Sequence, residues 1–155
     1  MKDVYAIDTN LLLLLVVGTA SPALIPLHKR THAYTIDDYR LLERILSLAD
    51  HVVLTPGVLT ETSNLMRQSG HRRLNDIIDV YSDIVARTTE IYIAGRDAVQ
   101  SPVFRRLGLT DAALLTLQSR DITLLTDDLD LYLASVSAGR KAINFSHERE
   151  NWLRV

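Results

Sequence analysis

Four carboxylates stand where chain geometry could bring them together for shared chemistry, namely Asp8, Glu61, Asp111 and Asp128. Asp8 closes the apolar run Val4, Tyr5, Ala6, Ile7, and Asp128 lies three residues past Leu125, at the end of a second such run. Asp111 opens an apolar helical pattern, and Glu61 sits one or two turns into another, so its longer side chain can reach back to the same edge. Taken singly, each Asp suits a helix cap or the positive end of a helix dipole, and Glu61 a solvated helix face. Taken together, four acids at the strand ends of one sheet would repel one another strongly unless a cation neutralised them.

The donor types narrow the cation. The chain has no cysteine, and no histidine stands at a ligand spacing, which disfavours zinc and favours hard octahedral Mg2+ or Mn2+ on carboxylate oxygens. Asp8, Asp111 and Asp128 are the expected metal ligands, with Glu61 completing the catalytic group. A divalent ion held in this way lowers the pKa of its water and neutralises charge on a departing oxygen, so phosphodiester hydrolysis is the natural reaction. A carboxylate off the metal can orient the attacking water or act as its base.

Other chemistries find less support. His28, His32 and His147 have no partner at a metal spacing, and no serine, histidine and acid form a recognisable triad. The six glycines are scattered, and none opens a helix in the pattern that cradles a nucleotide phosphate. A phosphoaspartate centre at Asp8 would want a second acid two residues later, where Asn10 stands.

Elements must position these acids. Val4 to Ile7 reads as a buried strand, and Leu11 to Val17, apolar all round, as a buried helix or a second strand. Gly18, Ser21, Pro22 and Pro26 give the stretch from Gly18 to Thr31 loop chemistry. Tyr39, Leu42, Ile45, Leu46 and Ala49 recur at helical spacing after Asp37 and Asp38; His51 to Thr55 reads as a strand, and Pro56 begins a helix that stops near Gly70. A helix is expected from Arg72 to Val85 and a short strand or helix lead-in at Ile91 to Ile93, while Gly95 to Leu109 is mixed. Thr110 is expected to cap a helix through Gln118, followed by a strand at Ile122 to Leu125, a helix from Asp128 to Ala138 and a strand from Lys141 to Phe145. Short apolar strands alternating with helices of this length imply an α/β fold, a central parallel sheet flanked by helices.

At 155 residues, with 47% hydrophobic and 23% charged, the composition fits one globular domain over residues 1–155. A net charge of −2 does not by itself announce a nucleic-acid binder. The apolar run is too short to span a membrane, and Asp3 and Asp8 near the start do not suit a secretory signal, so a cytoplasmic location is expected.

Four fragments, in order and spacing, resemble a PIN domain, the fold of VapC-type toxins of bacterial toxin-antitoxin pairs. They are Tyr5-Ala6-Ile7-Asp8-Thr9-Asn10, Leu54-Thr55-Pro56 through Thr60-Glu61, Leu109-Thr110-Asp111-Ala112, and Leu124-Leu125-Thr126-Asp127-Asp128-Leu129-Asp130-Leu131. Ala142-Ile143-Asn144-Phe145 also resembles the family's last strand. The resemblance implies a three-layer fold, an endoribonuclease activity using Mg2+ or Mn2+, a cognate antitoxin, and Asp8, Glu61, Asp111 and Asp128 as the acidic quartet. Thr9, Asn10 and Thr126 would lie beside it. Asp127 and Asp130 compete with Asp128 for the family's position, and Asp130 could also act through a water or face a helix dipole. The stretch between Val17 and Leu54 is longer than in compact VapC toxins.

Arg67, His71, Arg72 and Arg73 form the densest basic cluster, and Arg105 and Arg106 precede Asp111 closely; either set could bind RNA phosphates or be a solvated surface. Tyr132 and Trp152 could stack on bases or pack in the core. The apolar stretch from Leu11 to Val17, with Trp152, suggests surfaces for a homodimer. A catalytically silent module of the same fold that binds RNA or a protein is the alternative to an enzyme.

Overall fold

The computed structural model describes residues 3–70 and 73–153. Strand β1 (Val4–Ile7) leads directly into helix α1 (Thr9–Ala20), and Asp8 is the joint. Its Oδ1 accepts the Leu11 N–H at 3.1 Å, satisfying a donor that the first helical turn would otherwise leave unpaired. Helix α1 has no polar stripe. Leu11, Leu12, Leu13, Leu14, Val16 and Val17 have no exposed surface, so the stretch expected to pair protomers is enclosed in the core instead.

Helix α1 continues through Gly18, where the sequence suggests a loop. The reason is close packing: a Cβ at Gly18 would lie 2.3 Å from the ring of Tyr39 on helix α2 (Ile36–Ser47). Glycine here lets two helices approach rather than turning the chain. Between the helices the chain makes a 3₁₀ turn at Pro22–Leu24 and then a series of turns whose Leu24, Ile25, His28, Thr31 and Tyr34 are buried. His28 ties this excursion down: its Nδ1 accepts the Arg30 N–H at 3.0 Å, so Nε2 donates to the Met66 carbonyl at 3.0 Å. Thr35 and Asp38 then form a reciprocal capping box at the start of α2.

Strand β2 (His51–Leu54) precedes helix α3 (Pro56–Met66), capped by the Thr55 hydroxyl with Pro56 in the first turn. Helix α4 (Leu74–Arg87) follows. Strand β3 is only Thr89–Glu90, earlier than the Ile91 to Ile93 expected, although the Ile91 N–H still reaches the Leu54 carbonyl at 2.9 Å. The mixed stretch resolves into two single-turn helices, α5 (Gly95–Ala98) and α6 (Phe104–Leu107), ahead of α7 (Leu109–Leu117). Strand β4 (Thr123–Thr126), helix α8 (Leu129–Ser137) and strand β5 (Ala142–Asn144) match the expected order. Phe145, expected in the last strand, instead starts helix α9 (Phe145–Leu153), which the sequence pattern does not announce.

The strands form one parallel sheet in the order β3-β2-β1-β4-β5. Helix α1 packs against α2, α3 and α4, and the right-handed rule for parallel crossovers assigns these to one face of this strand order and α7 and α8 to the other, the three-layer α/β class expected. The order reverses between β1 and β4, and the crevice at the carboxyl ends of such a pair is where ligands bind in open parallel sheets. Register sets the detail: Ile7 pairs with Leu125, so Asp8 emerges level with Thr126. Among the described residues no helix is long and apolar enough to cross a membrane.

Candidate active site

A cleft of about 260 Å³ opens at this crevice, lined by Asp8, Glu61, Asp111 and Asp128 together with Thr9, Asn10 and Thr110. Four elements separated in sequence therefore bring the four acids to one place. Asp8 and Asp128 arrive as helix caps after strands, Asp111 and Glu61 from within helices.

Asp8 is buried at the end of β1, and both its oxygens are held. Oδ1 caps α1, while Oδ2 accepts the Thr126 hydroxyl and the Asp127 N–H, the latter at 3.2 Å. Burial outweighs these donors and pushes the Asp8 pKa up to about 6. Asp128 caps α8 through the Leu131 N–H at 3.1 Å, and its own N–H donates to Thr126 Oγ1 at 3.0 Å. One threonine hydroxyl thus joins two of the acids.

Asp111 stands in the first turn of α7, half-buried, with its pKa pushed up to about 7. Withdrawal from water is the largest cause, followed by the charges of Asp128, Asp8 and Glu61. The carboxylates feel one another across the cleft. Glu61, on α3, is gripped at both ends: Thr9 Oγ1 donates to Oε2 at 2.9 Å and Thr110 Oγ1 to Oε1 at 2.8 Å. Thr110 does not cap α7 as expected; Gly108 occupies that position and the hydroxyl is used across the fold. Gly57 makes room for it, since a Cβ there would lie 3.0 Å from Thr110 Oγ1.

The other expected residues divide. Thr9 and Asn10 line the cleft, and Thr126 supports it from beneath. Asp127 gives Asp8 its N–H but turns its carboxylate away, to the hydroxyls of Tyr34 and Ser146. Asp130 is exposed and reaches Arg106 at 3.9 Å, outside the cleft lining. Arg105 and Arg106, on α6, immediately precede Leu107 and Gly108 of the cleft wall. Arg67 follows α3, two residues after Leu65 of the same wall. Arg73 is exposed and bonded to Asp76 at 2.8 Å, while His71 and Arg72 lie outside the described residues. Tyr132 packs edge-on against His147, and Trp152 lies beneath the Arg44 guanidinium.

Among the described residues, no group of three or more His, Asp or Glu side chains is spaced so as to hold a metal ion as it stands. The four acids share a cleft and repel one another, but their oxygens do not converge on one point. A larger cavity of about 660 Å³, with Val103, Leu115, Leu133 and Ala134 in its wall, holds a single carboxylate, Asp97, and lacks this chemistry. The chain matches no family model, no curated protein and no solved structure.

Proposed function

We propose that the cleft is the active site of a divalent-metal-dependent endoribonuclease of PIN type, acting in the cytoplasm as the toxin of a toxin-antitoxin pair. The observation that carries the metal chemistry is the cleft itself, where Asp8, Glu61, Asp111 and Asp128 arrive from four separate elements and where burial and the charges of the other three raise the Asp111 pKa. Such a set favours a cation. The donors are all oxygen and fit Mg2+ or Mn2+.

Asp8, Asp111 and Asp128 would hold the ion. When bound, it supplies a water of lowered pKa and neutralises charge at the scissile phosphate. Glu61, fixed by the hydroxyls of Thr9 and Thr110, keeps a constant orientation at the cleft mouth and serves as the group that takes a proton from water. Arg105, Arg106 and Arg67 would meet RNA phosphates along the same wall. RNA as substrate and the antitoxin rest on the resemblance; of the two surfaces suggested for a homodimer only Trp152 stays exposed, and light scattering after size exclusion reads the oligomeric state.

The lack of a preformed three-acid cluster among the described residues favours a second reading, a silent module that binds RNA or protein. One experiment separates the two. Purified protein is incubated with structured RNA and Mn2+, with and without chelator, beside Asp8→Asn. Cleavage that is lost in both controls supports the enzyme, whereas intact RNA under every condition leaves only binding.

A further inference from the structure

The end of β4 and the two-residue connection to α8 bring three neighbouring residues, Thr126, Asp127 and Asp128, to three different positions. Thr126 and the Asp127 N–H hold Asp8 Oδ2, and Asp128 faces the cleft with its N–H on Thr126. The Asp127 side chain, by contrast, points into the protein, where two hydroxyls take its two oxygens: Tyr34 Oη donates to Oδ2 at 2.6 Å, and Ser146 donates to Oδ1.

Tyr34 is itself immobilised. It is buried, its ring meets Phe145 edge-on with centroids 6.4 Å apart, and the Arg149 guanidinium sits 5.4 Å over its face. Arg149 is in turn bonded to Asp38 at 2.9 Å, the residue that closes the capping box of α2. Tyr34 of the excursion and Ser146 of helix α9 therefore meet on one carboxylate, and the start of α2 braces Tyr34 through Arg149. An apolar contact would hold the loop in place without fixing its rotation. Two directional hydroxyl bonds fix both oxygens, and with them the plane of the peptide that donates to Asp8.

We infer that Tyr34 is a positioning residue: acting through Asp127, it orients the loop that holds Asp8 and Asp128, and so sets the affinity of the cleft for a divalent cation. This rests on the reading of the cleft as a metal centre. It gives the excursion between α1 and α2 a role in the site, although no residue of that excursion lines the cleft.

The test is Mn2+ binding by the full chain, measured by titration calorimetry. Tyr34→Phe deletes one hydroxyl and is expected to weaken binding roughly ten-fold, the scale on which partners of metal ligands act. Asp127→Ala should weaken it at least as much, and Tyr34→Phe added to Asp127→Ala should cause no further loss. Ser146→Ala reaches the same carboxylate from the other side and should resemble Tyr34→Phe. Tyr39→Phe, which removes a hydroxyl bonded to Thr19 far along α1, should leave Mn2+ affinity unchanged. Equal affinity in wild type and Tyr34→Phe overturns the inference. So do additive losses in the double variant, or an equal loss in Tyr39→Phe, which would mark a general effect of stability. No Mn2+ binding by the wild-type chain overturns the metal reading together with this one.

Discussion

The Thr110 hydroxyl donates to Glu61 Oε1 across 49 residues of sequence, and the Thr9 hydroxyl donates to the other oxygen across 52. Glu61 is exposed, so without these bonds its carboxylate would sample many rotamers. Thr110→Val keeps the shape and deletes the donor. Its cleavage rate should fall about ten-fold, with Thr110→Ser retaining most of the activity. Identical rates for wild type and Thr110→Val in an initial-rate assay on RNA would show that the Thr110 bond does not position Glu61 for the reaction.

The raised pKa values of Asp8 and Asp111 give a pH dependence with a definite sign. Both values, about 6 and about 7, lie above the ordinary 3.8, so the folded protein binds more protons than the unfolded chain between these limits. The stabilisation is complete below about pH 4 and is lost as pH rises through about 7. Asp111→Asn lacks this contribution. In chelator, its Tm relative to wild type should therefore rise from pH 5 to pH 8. Added Mn2+ should reverse the difference at pH 8 by stabilising the wild type alone. A difference in Tm that does not change with pH would show that Asp111 does not sit among repelling charges.

How far the sequence reveals the site follows from how local each signal is. Asp8 and Asp128 end apolar strands and begin helices, and such a junction is written in adjacent residues. Asp111 and Glu61 also lie at recognisable places in their helices. Asp127 is less legible, because the sequence offers three neighbouring acids and no indication of which faces the crevice. Asp127 sits at a bend after β4 with its carboxylate on the hydroxyls of Tyr34 and Ser146, whereas Asp128 caps α8 and lines the cleft. Tyr34 carries no signal at all, since its partner lies 93 residues away. Helix α9 is hidden because Glu148, Arg149 and Glu150 break any apolar face. Gly18 misleads because a glycine needed for helix contact looks like one needed for a turn.

Arg105 and Arg106 are exposed on α6, next in sequence to Leu107 of the cleft wall, and among the described residues Arg106 pairs with Asp130 at 3.9 Å. If they bind phosphates, replacing both with Ala should raise KM while leaving kcat close to wild type. The dependence of binding on salt should also flatten, by about 0.7 in log-log slope for each single-strand phosphate no longer bound. Arg73, already bonded to Asp76, should contribute less when replaced. Filter binding to an uncleavable RNA across a salt series distinguishes these outcomes, and an unchanged slope would leave Arg105 and Arg106 as surface charge.

Two glycine-to-alanine changes should separate the fold from the site. At Gly18 the added Cβ meets the Tyr39 ring at 2.3 Å, an overlap that only a shift of α1 against α2 can relieve. Overpacking of this kind costs about 1–3 kcal/mol, so Gly18→Ala should lower the denaturation midpoint while leaving Mn2+ affinity unchanged in the folded fraction. At Gly57 the helix tolerates alanine, and the loss of unfolded-state freedom would contribute about 0.4–1 kcal/mol in favour of folding. Its Cβ, however, lies 3.0 Å from Thr110 Oγ1 and presses on the hydroxyl that holds Glu61. Gly57→Ala should therefore equal or exceed wild type in stability and fall below it in cleavage rate. Paired urea denaturation and rate measurements decide the matter, and equal activity in Gly57→Ala would show that Thr110 can yield without disturbing Glu61.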